Sequence, residues 1–143
     1  MTIVVSQHVR VAATPERVWE ALTSPADLVR WYAPGCRWEI EALRVGASLR
    51  FFNTETDIQV ATVEACLPPH RLTLRWIPDP ALPSAQLLSS YVVRGDQHGS
   101  VVTLTQSGYE SVPEAQRAMW IEADEGALPA IAASLVAHLG PPV

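Results

Sequence analysis

Few residues in this chain have a type and spacing that could do chemistry. His8, His70, His98 and His138 show no ligand spacing such as His-x-x-x-His, and Cys36 and Cys66 are well separated. A metal centre needs a converging cluster of such side chains, so no metal site is expected. There is no Gly-x-Ser-x-Gly elbow and no phosphate-cradling glycine loop. Ser89, Ser90 and Ser107 read as sheet and turn residues, and Cys36 as a small buried side chain without a neighbouring base. Neither a catalytic residue nor a cofactor is expected.

Asp124 offers more. It lies three residues after Ile121 and four before Leu128, on or beside an apolar helical stripe. A buried carboxylate must be paired, and Arg50, Arg75, Arg94 or Tyr91 could reach it, but the favoured expectation is that a kink at Pro129 turns it to water. Facing inward, it could orient the polar end of a ligand or move a proton together with Tyr91. Asn53 and Gln106 could each add a hydrogen bond. Glu122 falls on the far side of the helix. The aromatic residues Trp31, Tyr32, Trp38, Phe51, Trp76, Tyr91 and Trp120 either pack a core or line a cavity. Ile58 and Val60 on a strand, and Ala123 and Ala127 on the helix, complete the expected wall.

The elements that must position these residues are legible in turn. Ile3 to Ala13 alternates as a half-buried strand. Thr14-Pro15 and Ser24-Pro25 each signal a helix start, and Asp27 stands at capping-box spacing from Ser24. From Arg37 to Ser107 short alternating runs are broken by Val45-Gly46, Asn53 to Thr56, Pro68-Pro69, Pro78 to Ser84 and Gly95 to Gly99. That pattern predicts six antiparallel strands. A long helix follows from about Pro113 to Leu139, with Ser111 and Glu114 at capping-box spacing and weak points at Gly126 and Pro129. The closing Pro-Pro-Val reads as a frayed tail.

Composition sets the outer limits. The 143 residues suit one domain, 1–143, with no repeat or internal boundary. At 48% hydrophobic and 17% charged, the chain is not of the disordered class. A net charge of −5 with scattered arginines argues against nucleic-acid binding. No apolar run approaches the ~20 residues of a membrane span. The first residues lack a signal-peptide pattern, so a cytoplasmic location and reduced cysteines are expected.

The order strand, two helices, six strands, long helix resembles the helix-grip fold of the START-like, or SRPBCC, superfamily. The resemblance rests on Ala13-Thr14-Pro15-Glu16-Arg17-Val18-Trp19-Glu20-Ala21-Leu22, Arg30-Trp31-Tyr32-Ala33-Pro34, Pro68-Pro69-His70-Arg71-Leu72 and Trp76. It continues in Leu104-Thr105-Gln106-Ser107-Gly108-Tyr109 and Glu125-Gly126-Ala127-Leu128. These segments are most similar to the branch named after the heat-shock protein 90 ATPase activator. The resemblance implies an α+β fold in which a curved antiparallel sheet of about seven strands wraps the C-terminal helix. It also implies a pocket for a small hydrophobic or amphipathic molecule, with polyketide cyclase-like chemistry and co-chaperone interaction as alternatives. Members often carry tryptophan where this chain has Asp124, so that end of the pocket is expected to be rebuilt. Unpaired strand edges make a homodimer plausible.

Overall fold

The computed structural model describes residues 3–33 and 35–141. Pro34, and Pro142 and Val143 of the expected frayed end, lie outside the described residues. The elements run β1 (Val5–Val11), α1 (Pro15–Thr23), α2 (Pro25–Trp31), β2 (Arg37–Ile40), β3 (Ser48–Phe52), β4 (Ile58–Leu67) and β5 (Arg71–Trp76). They continue with β6 (Leu88–Asp96), β7 (Gly99–Ser107), a 3-10 turn (Tyr109–Ser111) and α3 (Glu114–Leu139). All strands join one antiparallel sheet ordered β1-β7-β6-β5-β4-β3-β2. The expected α+β helix-grip arrangement is therefore the one observed.

Local chemistry explains the helix starts, with two departures. Thr14 caps α1 by accepting from the Arg17 amide at 3.3 Å, and Pro15 opens the first turn. Ser24 precedes α2 without a side-chain cap bond, and its amide donates to the Glu20 carbonyl at 2.8 Å rather than to the Asp27 carboxylate, so the expected capping box is absent. The expected capping box on α3 is also absent. Pro113 holds the cap position, while the Ser111 hydroxyl accepts from the Gln86 amide at 2.7 Å. Arg117 supports that start instead, donating to the carbonyls of Tyr109, Glu110 and Val112. α3 continues unbroken through Pro129, whose surface-exposed position leaves the freed Glu125 carbonyl close to solvent.

Asp27 ties three helices together. Its carboxylate accepts from the Arg17 guanidinium at 2.8 and 3.2 Å and from His138 Nε2 at 2.7 Å. The hydrogen bonds from Arg17 outweigh the opposing effect of burial, and His138 adds to them, so the acid is held down to about 2. A folded value below the unfolded one gives stability that is present above about pH 4 and lost as pH falls through 2. With Arg17 40% exposed, screening leaves about 1–2 kcal/mol. Urea titrations should show wild type losing that amount between pH 5 and pH 2, and Asp27→Asn losing much less. Parallel pH curves would overturn the assignment.

The core lies between the sheet's inner face and the three helices. Val93, Val102, Leu104, Val63 and Ala61 project from the sheet, and Val18, Leu128, Ala132 and Leu135 meet them from the helices. α3 is unevenly anchored: its buried residues are Leu128, Ala132 and Leu135, all in its second half.

Candidate functional site

An aromatic wall forms where α2 meets the far end of the sheet. Tyr32 caps α2 and packs edge-on against Trp31, Trp38 and Phe51, at ring centroid distances of 5.6, 5.1 and 5.3 Å. Trp38 also touches Phe51 at 4.7 Å and Trp76 at 6.5 Å. Strand pleating makes this possible, because Trp38 on β2 stands opposite Phe51 on β3 and shares its face.

A polar row crosses the same face. Trp76 Nε1 donates to Ser89 Oγ at 2.8 Å, and Ser89 in turn donates to Gln106 Oε1. Tyr91 stands two residues beyond Ser89 on β6, so both point inward. Tyr91 borders two small cavities. One, of about 10 Å³, lies among Leu22, Trp31, Trp38, Leu49 and Leu74. The other, of about 20 Å³, lies among Tyr32, Gln106, Leu104, Leu128 and Ile131. The interior is nearly filled in this conformation. A wider open groove of about 470 Å³ runs outside it, between β1 and α3, along Val4, Val5, Ile121 and Leu128.

Burial raises Tyr32 to about 12, with the neighbouring Cys36 and Asp124 adding to the effect. Tyr91 is raised as well, by burial and then by Tyr32. Both phenols therefore stay protonated near neutrality and can donate. Trp38 Nε1, Trp120 Nε1 and Gln116 Oε1 are buried without a hydrogen-bond partner among the described residues. An unmet buried donor or acceptor costs about 1–3 kcal/mol, so such atoms ask for an explanation.

Asp124 turns toward the protein rather than to water, because α3 runs on through Pro129, and its partner is one that sequence reasoning missed. The Tyr109 hydroxyl donates to Asp124 Oδ2 at 2.6 Å. Burial and this bond raise the Tyr109 phenol, so it too remains a donor. The expected partners Arg50, Arg75 and Arg94 project from the opposite sheet face, where Arg75 meets Glu64 at 3.6 Å. Tyr109 could have been suspected from its place directly after Gly108 and one short turn before α3. Ser89 was missed as well, although it alternates with Leu87, Tyr91 and Val93 along β6.

Other expected wall residues lie elsewhere. Asn53 sits in the exposed β3–β4 turn and donates to Asp57 at 3.1 Å. Ile58 is 46% exposed. It shares the outer face with Val60, while Ala61 and Val63 take the inner one. Ala123 and Ala127 are exposed, because each is one residue, about 100° of rotation, away from the stripe of Asp124 and Leu128. Trp120 is half-buried against the core. Among the described residues no group of His, Cys, Asp and Glu could hold a metal, and no helix is long and apolar enough to cross a membrane.

Comparisons with known proteins follow the same architecture. The model of a family described as Activator of Hsp90 ATPase homolog 1-like protein matches residues 12–140. Protein MLL2253 from Mesorhizobium loti is similar at 19% identity and TM-score 0.76, covering 97% of this chain and 96% of its own. The Aha1 dimer from Colwellia psychrerythraea is similar at 16% identity and TM-score 0.74, covering 96% of both chains. CalU16 from Micromonospora echinospora is similar at 19% identity and TM-score 0.65, covering 94% of this chain and 75% of its own. At these identities the likenesses speak to fold. No curated protein matches the chain in sequence.

Proposed function

The chain belongs to the Activator of Hsp90 ATPase homolog 1-like family, and from that premise we propose that it is a binding module for a small hydrophobic or amphipathic molecule. The molecule lodges between the sheet, α2 and the first half of α3. The observation that carries this reading is the inner face itself: an aromatic wall interrupted by a few placed polar groups, namely Tyr32, Tyr91 and Gln106. Ligand sites are built this way, mostly apolar with a few orienting groups. The unmet indole N–H groups of Trp38 and Trp120 add donors that a bound molecule would satisfy.

The closed interior has room for little more than water, so a guest requires the cover to move. The first half of α3 suits that part. Its inward residues Trp120, Ile121 and Asp124 are only half-buried, and the anchored residues begin at Leu128. Elements with few buried apolar contacts open at low free energy. Binding is better supported than turnover. The three phenols are held protonated, and Asp124 is engaged by Tyr109. A homodimer through the edge of β1, where Val4 is 53% exposed, fits the same reading.

Gently purified protein should carry a bound small mass in native mass spectrometry, or take up one equivalent of an aromatic hydrocarbon. Amides of residues 114–127 should exchange faster than those of 128–139 and slow on loading. No bound mass, no uptake and unchanged exchange, with a chaperone recovered from cell extract instead, would turn the reading to the co-chaperone alternative.

A further inference from the structure

We propose that Tyr32, Tyr91 and Gln106 form a subsite for one neutral, hydrogen-bond-accepting oxygen, the carbonyl oxygen of the ligand's polar end. This deepens the binding-module reading and rests on it. The three residues line one cavity of about 20 Å³, and a space of that size holds roughly a single oxygen-sized group.

The direction of the polar row decides what the cavity offers. An indole N–H can only donate, so the Trp76 to Ser89 bond runs one way. Ser89, accepting from Trp76, donates its own O–H to Gln106 Oε1. That bond turns the Gln106 amide so that its NH₂ group is the end not used by Ser89. Ser89 is thereby satisfied, and Gln106 is left with N–H to give. Tyr32 and Tyr91 add O–H groups that burial keeps protonated. Ser90 and Thr105 also border the cavity, but their hydroxyls bond Thr73 and Ser6 on the opposite sheet face, so they leave the count unchanged.

The rest of the lining selects a neutral partner. Leu104, Leu128 and Ile131 close the cavity, and no arginine borders it; the chain contains no lysine. A carboxylate or phosphate there would be desolvated without a compensating cation. A ketone, aldehyde or ester oxygen accepts the donors without that cost, and the dry surroundings strengthen the bonds.

The test compares probes of one shape: 2-acetylnaphthalene, 2-ethylnaphthalene and 2-naphthoate. Wild type should bind the ketone about tenfold more tightly than the hydrocarbon, with naphthoate weakest, and the bound carbonyl stretch should move to lower frequency. Gln106→Leu and Tyr91→Phe should each reduce the ketone preference, read as the ratio of ketone to ethylnaphthalene affinity in the same variant, to within about twofold. Tyr32→Phe serves as a second hydroxyl deletion if either variant folds poorly. Equal binding of ketone and hydrocarbon with an unshifted carbonyl stretch overturns the subsite and leaves the binding module standing. Preference for naphthoate overturns the neutral-oxygen assignment. Failure of all three probes to bind overturns the subsite, and with no bound mass in native mass spectrometry it overturns the binding module as well.

Discussion

Replacing Trp31 by alanine should destabilise the domain by about 3–5 kcal/mol. The side chain is only 4% exposed. Its indole N–H donates to the Ala21 carbonyl at 2.8 Å, joining α2 to the end of α1. Its ring also supports Tyr32 edge-on, so the loss spreads to the aromatic wall. Two costs add in the alanine variant: the cavity left by the ring and the buried carbonyl left without its donor. Total stability of a domain this size is of order 5–15 kcal/mol, so the variant should be partly unfolded at 37 °C. Urea denaturation with Trp31→Phe beside it separates the two costs, since phenylalanine keeps most of the volume and should lose about 1–2 kcal/mol. A loss below about 1 kcal/mol for the alanine variant would mean that α2 is not held through this residue.

Gly108→Ala is the second large effect expected. Gly108 has φ +91°, and an added Cβ would stand 2.1 Å from the Gln86 carbonyl oxygen and 3.2 Å from the Leu87 Cα. Both obstacles are backbone atoms, so no rotamer change relieves them. The left-handed conformation itself costs a side-chain-bearing residue about 1–2 kcal/mol, and the clash brings the total to about 3 kcal/mol or more. The displacement falls on the turn that carries Tyr109, so the bond to Asp124 should break as well. Thermal unfolding measures the first effect. The second is read from residues 109–117, whose amides should lose protection in hydrogen exchange. An alanine variant with wild-type stability and exchange would show that the β7 exit has slack the close approach denies.

These elements were readable in the sequence where local chemistry decides them. Thr14-Pro15 and Ser24-Pro25 start helices because proline suits the first turn whatever the tertiary context. The meander was readable because its strands alternate between turn signals. Strand faces were harder. On β4, Ile58-Val60-Thr62 and Gln59-Ala61-Val63 are both plausible inner sets, and periodicity does not say which one meets a helix. The structure puts Ala61 and Val63 inside, opposite Leu49 and Leu74 on the neighbouring strands, and Ile58 and Val60 outside. The Ser111–Glu114 spacing failed because Gln86, distant in sequence, competes for the serine hydroxyl. The Tyr109–Asp124 bond was beyond local reading for a related reason: it depends on how the turn after β7 folds back over α3.

The pairing of β1 with β7 also bears on how the chain leaves the ribosome. Ser6 and Leu104, neighbours in the sheet, are separated by 98 positions. At translation rates of about 5–20 residues per second, β1 emerges roughly 5–20 s before its strand partner β7. Through that interval Val5, Val9 and Val11 lie on an unsatisfied, β-prone strand while β2 to β6 emerge and become able to pair with one another. The hazard of wrong association at β1 therefore lasts until β7 has emerged to pair with it, and α3 covers the pair only later.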